Sequence, residues 1–181
     1  YNRRALYLQR IAKKIVGEYE GVVPQDPRFL ETFPGIGPAT ARSIITYIYN
    51  KPEIFIETNI RRIYIHHFFA DATNVFDKEI YPLVEKTVDT KNPREWYYAL
   101  MDYGTALSKM VVNPNRKSKH YAKQSKFEGS NRQVRGGILK ILLDKNHLTK
   151  EDIVLLTNFG KDRVYLMLEE LQAEGFVNEK K

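Results

Sequence analysis

The alternation of apolar and polar positions reads as helix nearly from end to end. Between residues 2 and 19, Leu8, Ala12, Ile15 and Tyr19 fall at helical spacing while Arg3, Arg4, Arg10, Lys13 and Lys14 lie mostly elsewhere, which predicts an amphipathic helix ended by Gly21. Pro24 and Pro27 bias the next residues away from helix, and a short helix follows over 28–32. Ala41, Ile44, Ile45, Ile48 and Tyr49 complete one helical face and predict a buried helix over 39–49. Another follows Thr58 as its N-cap, with Ile60, Ile63, Tyr64, His67 and Phe68 in the same pattern. Residues 77–88 and 93–109 predict two more, the second opened by Asn92-Pro93 with Trp96, Ala99, Leu100 and Tyr103 on one face. Beyond residue 130 come helices over 132–143, 149–156 and 161–174, with a turn at Asn146-His147, a capping box pairing Thr149 with Asp152, and Gly175 as C-cap. Phe176-Val177 reads as the start of a strand.

Charge divides this series. Of a formal net charge of +7, the stretch 113–135 carries most: seven basic residues (Arg116, Lys117, Lys119, Lys123, Lys126, Arg132, Arg135) against the single acidic Glu128, a net of +6. With Tyr121 and Phe127 interleaved, it suits tracking of a nucleic-acid backbone, and it equally suits a solvated linker. The 181 residues contain no cysteine, which excludes disulfides, thiolate nucleophiles, iron–sulfur clusters and cysteine-held zinc. No metal site is expected, since the neighbouring His66 and His67 diverge by about 100° on a helix; His67 is expected to pack in the core and His66 to lie at the surface. Tyr47, Tyr49, Tyr64, Tyr97 and Tyr98 read as core residues with wet hydroxyls. No apolar run reaches the roughly 20 residues of a membrane span, and the basic start lacks a signal-peptide core, so a cytoplasmic, nucleoid-associated monomer is expected. The sequence starts at Tyr1, not methionine, and is expected to be a fragment.

The most informative stretch runs from Leu30 to Ile45, Leu-Glu-Thr-Phe-Pro-Gly-Ile-Gly-Pro-Ala-Thr-Ala-Arg-Ser-Ile-Ile. Two glycines one residue apart allow a tight turn between helices, with backbone N–H groups pointing outward at a helix N-terminus, an arrangement that suits a phosphate. The turn nominates Gly35, Ile36, Gly37, Ala39 and Thr40 as nucleic-acid contacts, with Arg116, Lys117, Lys119, Lys123 and Lys126 adding charge. A plain structural turn is the competing reading.

Phe33-Pro-Gly-Ile-Gly-Pro-Ala-Thr-Ala41 resembles the helix-hairpin-helix of the endonuclease III superfamily of DNA glycosylases. Ile56-Glu-Thr-Asn-Ile-Arg-Arg-Ile63 resembles the place of that family's catalytic carboxylate, Trp96 to Gly104 its domain-closing helix, and Tyr1 to Leu8 the segment joining two helical lobes. Over 1–109 the chain is most similar to the branch that excises adenine mispaired with guanine or oxidised guanine.

The resemblance implies that Glu57, where the family usually has aspartate, stabilises positive charge developing on the sugar, and that Asn59 hydrogen-bonds nearby. Against this, Glu57 also reads as a helix cap and Asn59 as a first-turn polar residue. Ala39 stands where bifunctional members carry a lysine, which implies monofunctional hydrolysis with no lyase step. The family's base-protonating glutamate would lie upstream of Tyr1, so the chain alone is expected to be inactive. The cluster cysteines are absent, as in relatives without the iron–sulfur cluster, and no cofactor is expected.

The expectation is therefore an all-α protein in three parts: a helix-hairpin-helix glycosylase domain with an incomplete helical lobe over 1–110, a basic linker over 111–130, and a winged-helix-like domain over 131–181. Its partner would be double-stranded DNA containing a mismatch or damaged base. A non-catalytic DNA-binding module of the same fold is the alternative. A third reading, a transcriptional regulator built on the last helices, has only Lys161 and Arg163 ahead of Glu169-Glu170 to read bases with.

Overall fold

The computed structural model describes residues 2–145 and 147–179, and the chain divides into two compact units, Tyr1–Ala122 and Lys123–Lys181. Asn146, half of the expected turn, lies outside the described residues.

The first unit contains α1 (Asn2–Glu18), α2 (Pro27–Leu30), α3 (Pro38–Tyr49), α4 (Thr58–Phe68), α5 (Asp77–Thr87), α6 (Pro93–Met110) and a 3-10 turn, Pro114–Lys117. Two hydrophobic clusters organise it. In the smaller one, Leu30, Phe33, Ala41 and Ile45 are buried against Ile11 and Ile15 of α1 and Tyr19 just beyond it, so the turn between α2 and α3 is held from below. The larger one gathers Phe55, Ile56, Ile60, Ile63, Tyr64, Ile65, Ile80, Val84, Tyr97, Leu100 and Leu107 around α4, α5 and α6.

Several predicted faces are rotated. In α1, Ile11 packs inward while Leu8 is 61% exposed. In α4, Ile65 is fully buried, whereas His67 and Phe68 lie at the surface and His66 is half-buried, the reverse of the expected histidine placement. His67 is satisfied there by the Tyr103 hydroxyl, 2.7 Å from its Nε2. In α6 the buried line is Pro93, Tyr97, Leu100, Gly104 and Leu107 instead of Trp96, Ala99, Leu100 and Tyr103. The cause lies at Gly104, where a Cβ would come within 2.6 Å of Asn59 Cβ and 2.8 Å of Asn59 O. Only glycine lets α6 approach α4 so closely, and that contact sets the rotation of the helix.

Part of the expected linker is attached to the first unit. Asn115 Nδ2 donates to the Thr58 carbonyl at 3.0 Å, Val75 N–H donates to Lys117 O at 2.8 Å, and Lys119 N–H donates to Val75 O at 2.9 Å. Asn115 and Ser118 are both buried. These hydrogen bonds, which no apolar periodicity announces, attach the first part of the span 111–130 to the first unit, and the division between the two units falls inside that span, at residues 122–123.

The second unit packs α7 (Asn131–Asp144), α8 (Lys150–Thr157) and α9 (Lys161–Ala173) around Val134, Ile138, Ile153, Val164, Met167, Leu168 and Leu171. The Thr149–Asp152 capping box forms as expected. Arg135 joins α7 to α9 through Glu170, at 3.0 Å, and Glu174. Gly175 takes the left-handed conformation at φ +81°, and Phe176 N–H donates to Leu171 O at 2.9 Å. That closure turns Phe176 and Val177 onto the helical core, so the expected strand is not formed, and no strand or wing occurs among the described residues.

Candidate nucleic-acid and catalytic site

The turn between α2 and α3 uses its two glycines for different reasons. Gly35 has φ +76°, and a Cβ there would come within 2.5 Å of the Tyr7 ring, so the fold itself requires glycine. Gly37 is the N-cap of α3 with φ −94° and ψ 174°, a conformation open to any residue, and a Cβ on it would meet nothing within 4 Å. No side chain caps α3 at this end, and Gly37 and Thr40 are exposed. The first-turn N–H groups of α3 therefore face solvent at the positive end of a 12-residue helix. Ile36 and Ala39 are half-buried, Ile36 against the smaller cluster and Ala39 against the larger.

The loop after α3 delivers Glu57 to the start of α4. Glu57, not Thr58, is the N-cap: its Oε1 accepts from Asn59 N at 2.5 Å and from Ile60 N at 3.0 Å. The longer glutamate side chain reaches two orphan N–H groups at once, and the predicted cap residue Thr58 becomes the first helical position. Oε1 is thus fixed, while Oε2 makes no hydrogen bond within the described residues. Asn59 meets Glu57 through its backbone alone; its Oδ1 accepts from Arg62 at 2.6 Å and its Nδ2 points at Met101 Sδ. Arg62 also donates to the Gly104 carbonyl, tying the first turn of α4 to α6.

Tyr47, expected only as a wet core tyrosine, is the residue whose role the sequence understated. Its ring stacks on Tyr98 with centroids 4.9 Å apart, and its hydroxyl is buried without a partner. Burial, with added effect from the negative charges of Glu57 and Tyr98, pushes this phenol up to about 12. Its hydroxyl is a neutral donor at any physiological pH. A tyrosine inside the last turn of α3, ten residues before the carboxylate, was the available signal.

The cationic residues separate. Arg116 and Lys119 are exposed on the first unit, whereas Lys117 is half-buried and its ammonium donates to the Ala70 carbonyl. Lys123 and Lys126 are exposed and belong to the second unit. Arg135 is consumed by its two glutamates. With no cysteine in the sequence and the segment 113–119 occupied by its own hydrogen bonds, the residues present do not fit an iron–sulfur cluster. Among the described residues no three His, Asp or Glu side chains gather as metal ligands, and no helix is long and apolar enough to cross a membrane.

No protein-family model matches the chain. It is 29% identical to the adenine DNA glycosylase of Mycolicibacterium smegmatis, in an alignment that takes in 99% of this chain and 67% of that protein. Identity rises to 38% with the adenine DNA glycosylase of Mycobacterium tuberculosis, over 40% of this chain and 24% of that protein. Endonuclease III of Buchnera aphidicola is 33% identical over 44% of this chain and 38% of its own length. The chain is thus similar to adenine DNA glycosylases and to endonuclease III. The matches cover between about a quarter and two thirds of these relatives. Against the pattern that the sequence resemblance implies, this chain has glutamate at Glu57, alanine at Ala39 and no cysteine, with hydrogen bonds holding the segment 113–119.

Proposed function

We propose that this chain forms the strand-gripping and charge-stabilising part of a monofunctional base-excision DNA glycosylase that removes a mispaired purine, adenine opposite guanine or oxidised guanine. The observation that carries the reading is the carboxylate of Glu57, held at the start of α4 by two backbone N–H groups with Oε2 left unengaged. Cleavage of an N-glycosidic bond develops positive charge on the sugar, and a preorganised carboxylate stabilises it without having to reorganise during the reaction. Water then supplies the oxygen that bonds to C1′ as the base departs with the bonding pair and a proton. Ala39 offers no amine, so no covalent sugar adduct forms at that position. The exposed N–H groups at Gly37 and Thr40 hold a backbone phosphate beside the extruded nucleotide. The protein would act as a monomer on duplex DNA in the cytoplasm.

The test is single-turnover release of adenine from a duplex pairing it with oxidised guanine, run with the protein as its gene encodes it and with the Glu57→Gln variant of that protein. Glutamine keeps a capping oxygen but loses the charge, so excision should fall by about 10²–10³ while the melting temperature holds. Unchanged release in Glu57→Gln overturns the catalytic assignment. The second reading, a non-catalytic DNA-binding module, is favoured by one observation: the Glu57 carboxylate is already employed as the α4 cap. Duplex binding by the gene-encoded protein with no base release would select it.

A further inference from the structure

Beneath the 3-10 turn, at the start of α4, lies a hollow of about 220 Å³ lined by residues that neither the hairpin nor Glu57 uses: Thr58, Arg61, Asn113, Asn115, Ser118 and His120, with Tyr121 and Ala122 completing it. It has room for several waters at about 30 Å³ each, or for one aromatic heterocycle. Asn115 is 5% exposed; its Nδ2 is taken by the Thr58 carbonyl at 3.0 Å, and its Oδ1 is buried without any partner. A buried amide oxygen left unsatisfied is costly, so it calls for a donor from outside the chain.

The remaining groups describe that donor's molecule. Ser118 is 6% exposed, and its Oγ accepts from His120 N–H at 3.1 Å, leaving the hydroxyl proton to donate. Arg61 spends Nε and Nη2 on Asp77 at 2.7 and 2.6 Å, so its charge is balanced within the chain. The hollow is consequently polar but close to neutral, with one acceptor and one donor at its base and the His120 and Tyr121 rings at its edge. A phosphate would place anionic oxygen against Asn115 Oδ1. A nucleobase edge, which pairs an N–H donor with an adjacent acceptor, matches both groups, and its faces match the rings.

We propose that this hollow binds an unstacked nucleobase of the DNA strand, with Asn115 Oδ1 accepting from the base, Ser118 Oγ donating to it, and the exposed Arg116 and Lys119 holding the flanking phosphates. The proposal rests on DNA being the partner, as argued above, but requires no glycosylase activity.

The experiment is a ¹H–¹⁵N NMR titration of the whole chain with dAMP and dCMP, and in parallel with deoxyribose 5-phosphate and inorganic phosphate. Both nucleotides should shift the Asn115 side-chain amide and the Thr58 and Ser118 backbone amides in a saturable way, and the two base-free anions should leave those signals in place. Ser118→Ala should weaken nucleotide binding about fivefold, the value of one hydrogen bond. Equal shifts from phosphate would make the hollow an anion site, and no shift with millimolar nucleotide would leave it to water; either result overturns the proposal. Salt-dependent duplex binding that persists with a silent hollow would refute this inference alone, whereas loss of both would refute the DNA reading beneath it.

Discussion

Replacing the two hairpin glycines one at a time separates folding from binding. Gly35→Ala forces a side chain into φ +76°, at about 1–2 kcal/mol, and sets its Cβ within 2.5 Å of the Tyr7 ring, an overpacking worth about 1–3 kcal/mol more. At roughly 4 °C per kcal/mol for a unit of this size, the melting temperature should fall by about 8–20 °C. Gly37→Val meets no atom within 4 Å and needs no unusual backbone angle. Its small loss as an N-cap is opposed by the entropy it removes from the unfolded chain, and the net change should stay below about 1 kcal/mol. The same side chain projects into the space where a phosphate would meet the first-turn N–H groups of α3. Losing a charge-assisted hydrogen bond there costs about 1.5–3 kcal/mol, a 10- to 100-fold drop in duplex affinity. Circular-dichroism melts beside fluorescence-anisotropy binding isotherms read both quantities from the same samples. Full affinity in Gly37→Val would refute the phosphate role of the hairpin, and parallel loss of stability and binding would reduce Gly37 to a structural turn.

Three further outcomes follow from other parts of the molecule. Gly104→Ala places a Cβ 2.8 Å from the Asn59 backbone oxygen and should destabilise the first unit by about 1–3 kcal/mol; because the strain falls on the turn that carries Glu57, base excision should drop more than duplex affinity, measured on one preparation. Burial holds the Tyr64 and Tyr97 phenols above their ordinary range, and Tyr47 up to about 12, so above about pH 10 the unfolded chain releases protons that the folded chain keeps. Stability should therefore be indifferent to these groups below pH 10 and decline between about 10 and 12, a slope that denaturant melts resolve and that Tyr47→Phe should make shallower. Of the seven cations in 113–135, Arg116, Lys119, Lys123, Lys126 and Arg132 are exposed, so log affinity for duplex DNA should fall against log salt with a slope no steeper than about −4.5; a flat response would remove the electrostatic contact altogether.

Much of this was present in the order of residues. Helical periodicity placed every α-helix to within a few residues, because an apolar stripe at 3.6-residue spacing has one economical conformation. The Pro-Gly-Ile-Gly turn, the carboxylate at residue 57 and the capping box at Thr149 could be read locally, since each depends on contacts a few residues apart. The rotation of α6 could not, because it is set by Gly104 meeting Asn59, 45 positions earlier in the chain. Nor could the fate of the basic stretch: Arg135 looks like its neighbours in sequence, but two distant glutamates balance its charge, and Lys117 donates to a distant carbonyl. Phe176-Val177 carries the composition of a strand, yet burial against three helices offered those side chains more than pairing with a second strand that the described residues do not supply. Even the two glycines of the hairpin, identical on the page of the sequence, were distinguished only in three dimensions. The sign of φ and the presence of the Tyr7 ring make one a requirement of the fold and leave the other open to a ligand.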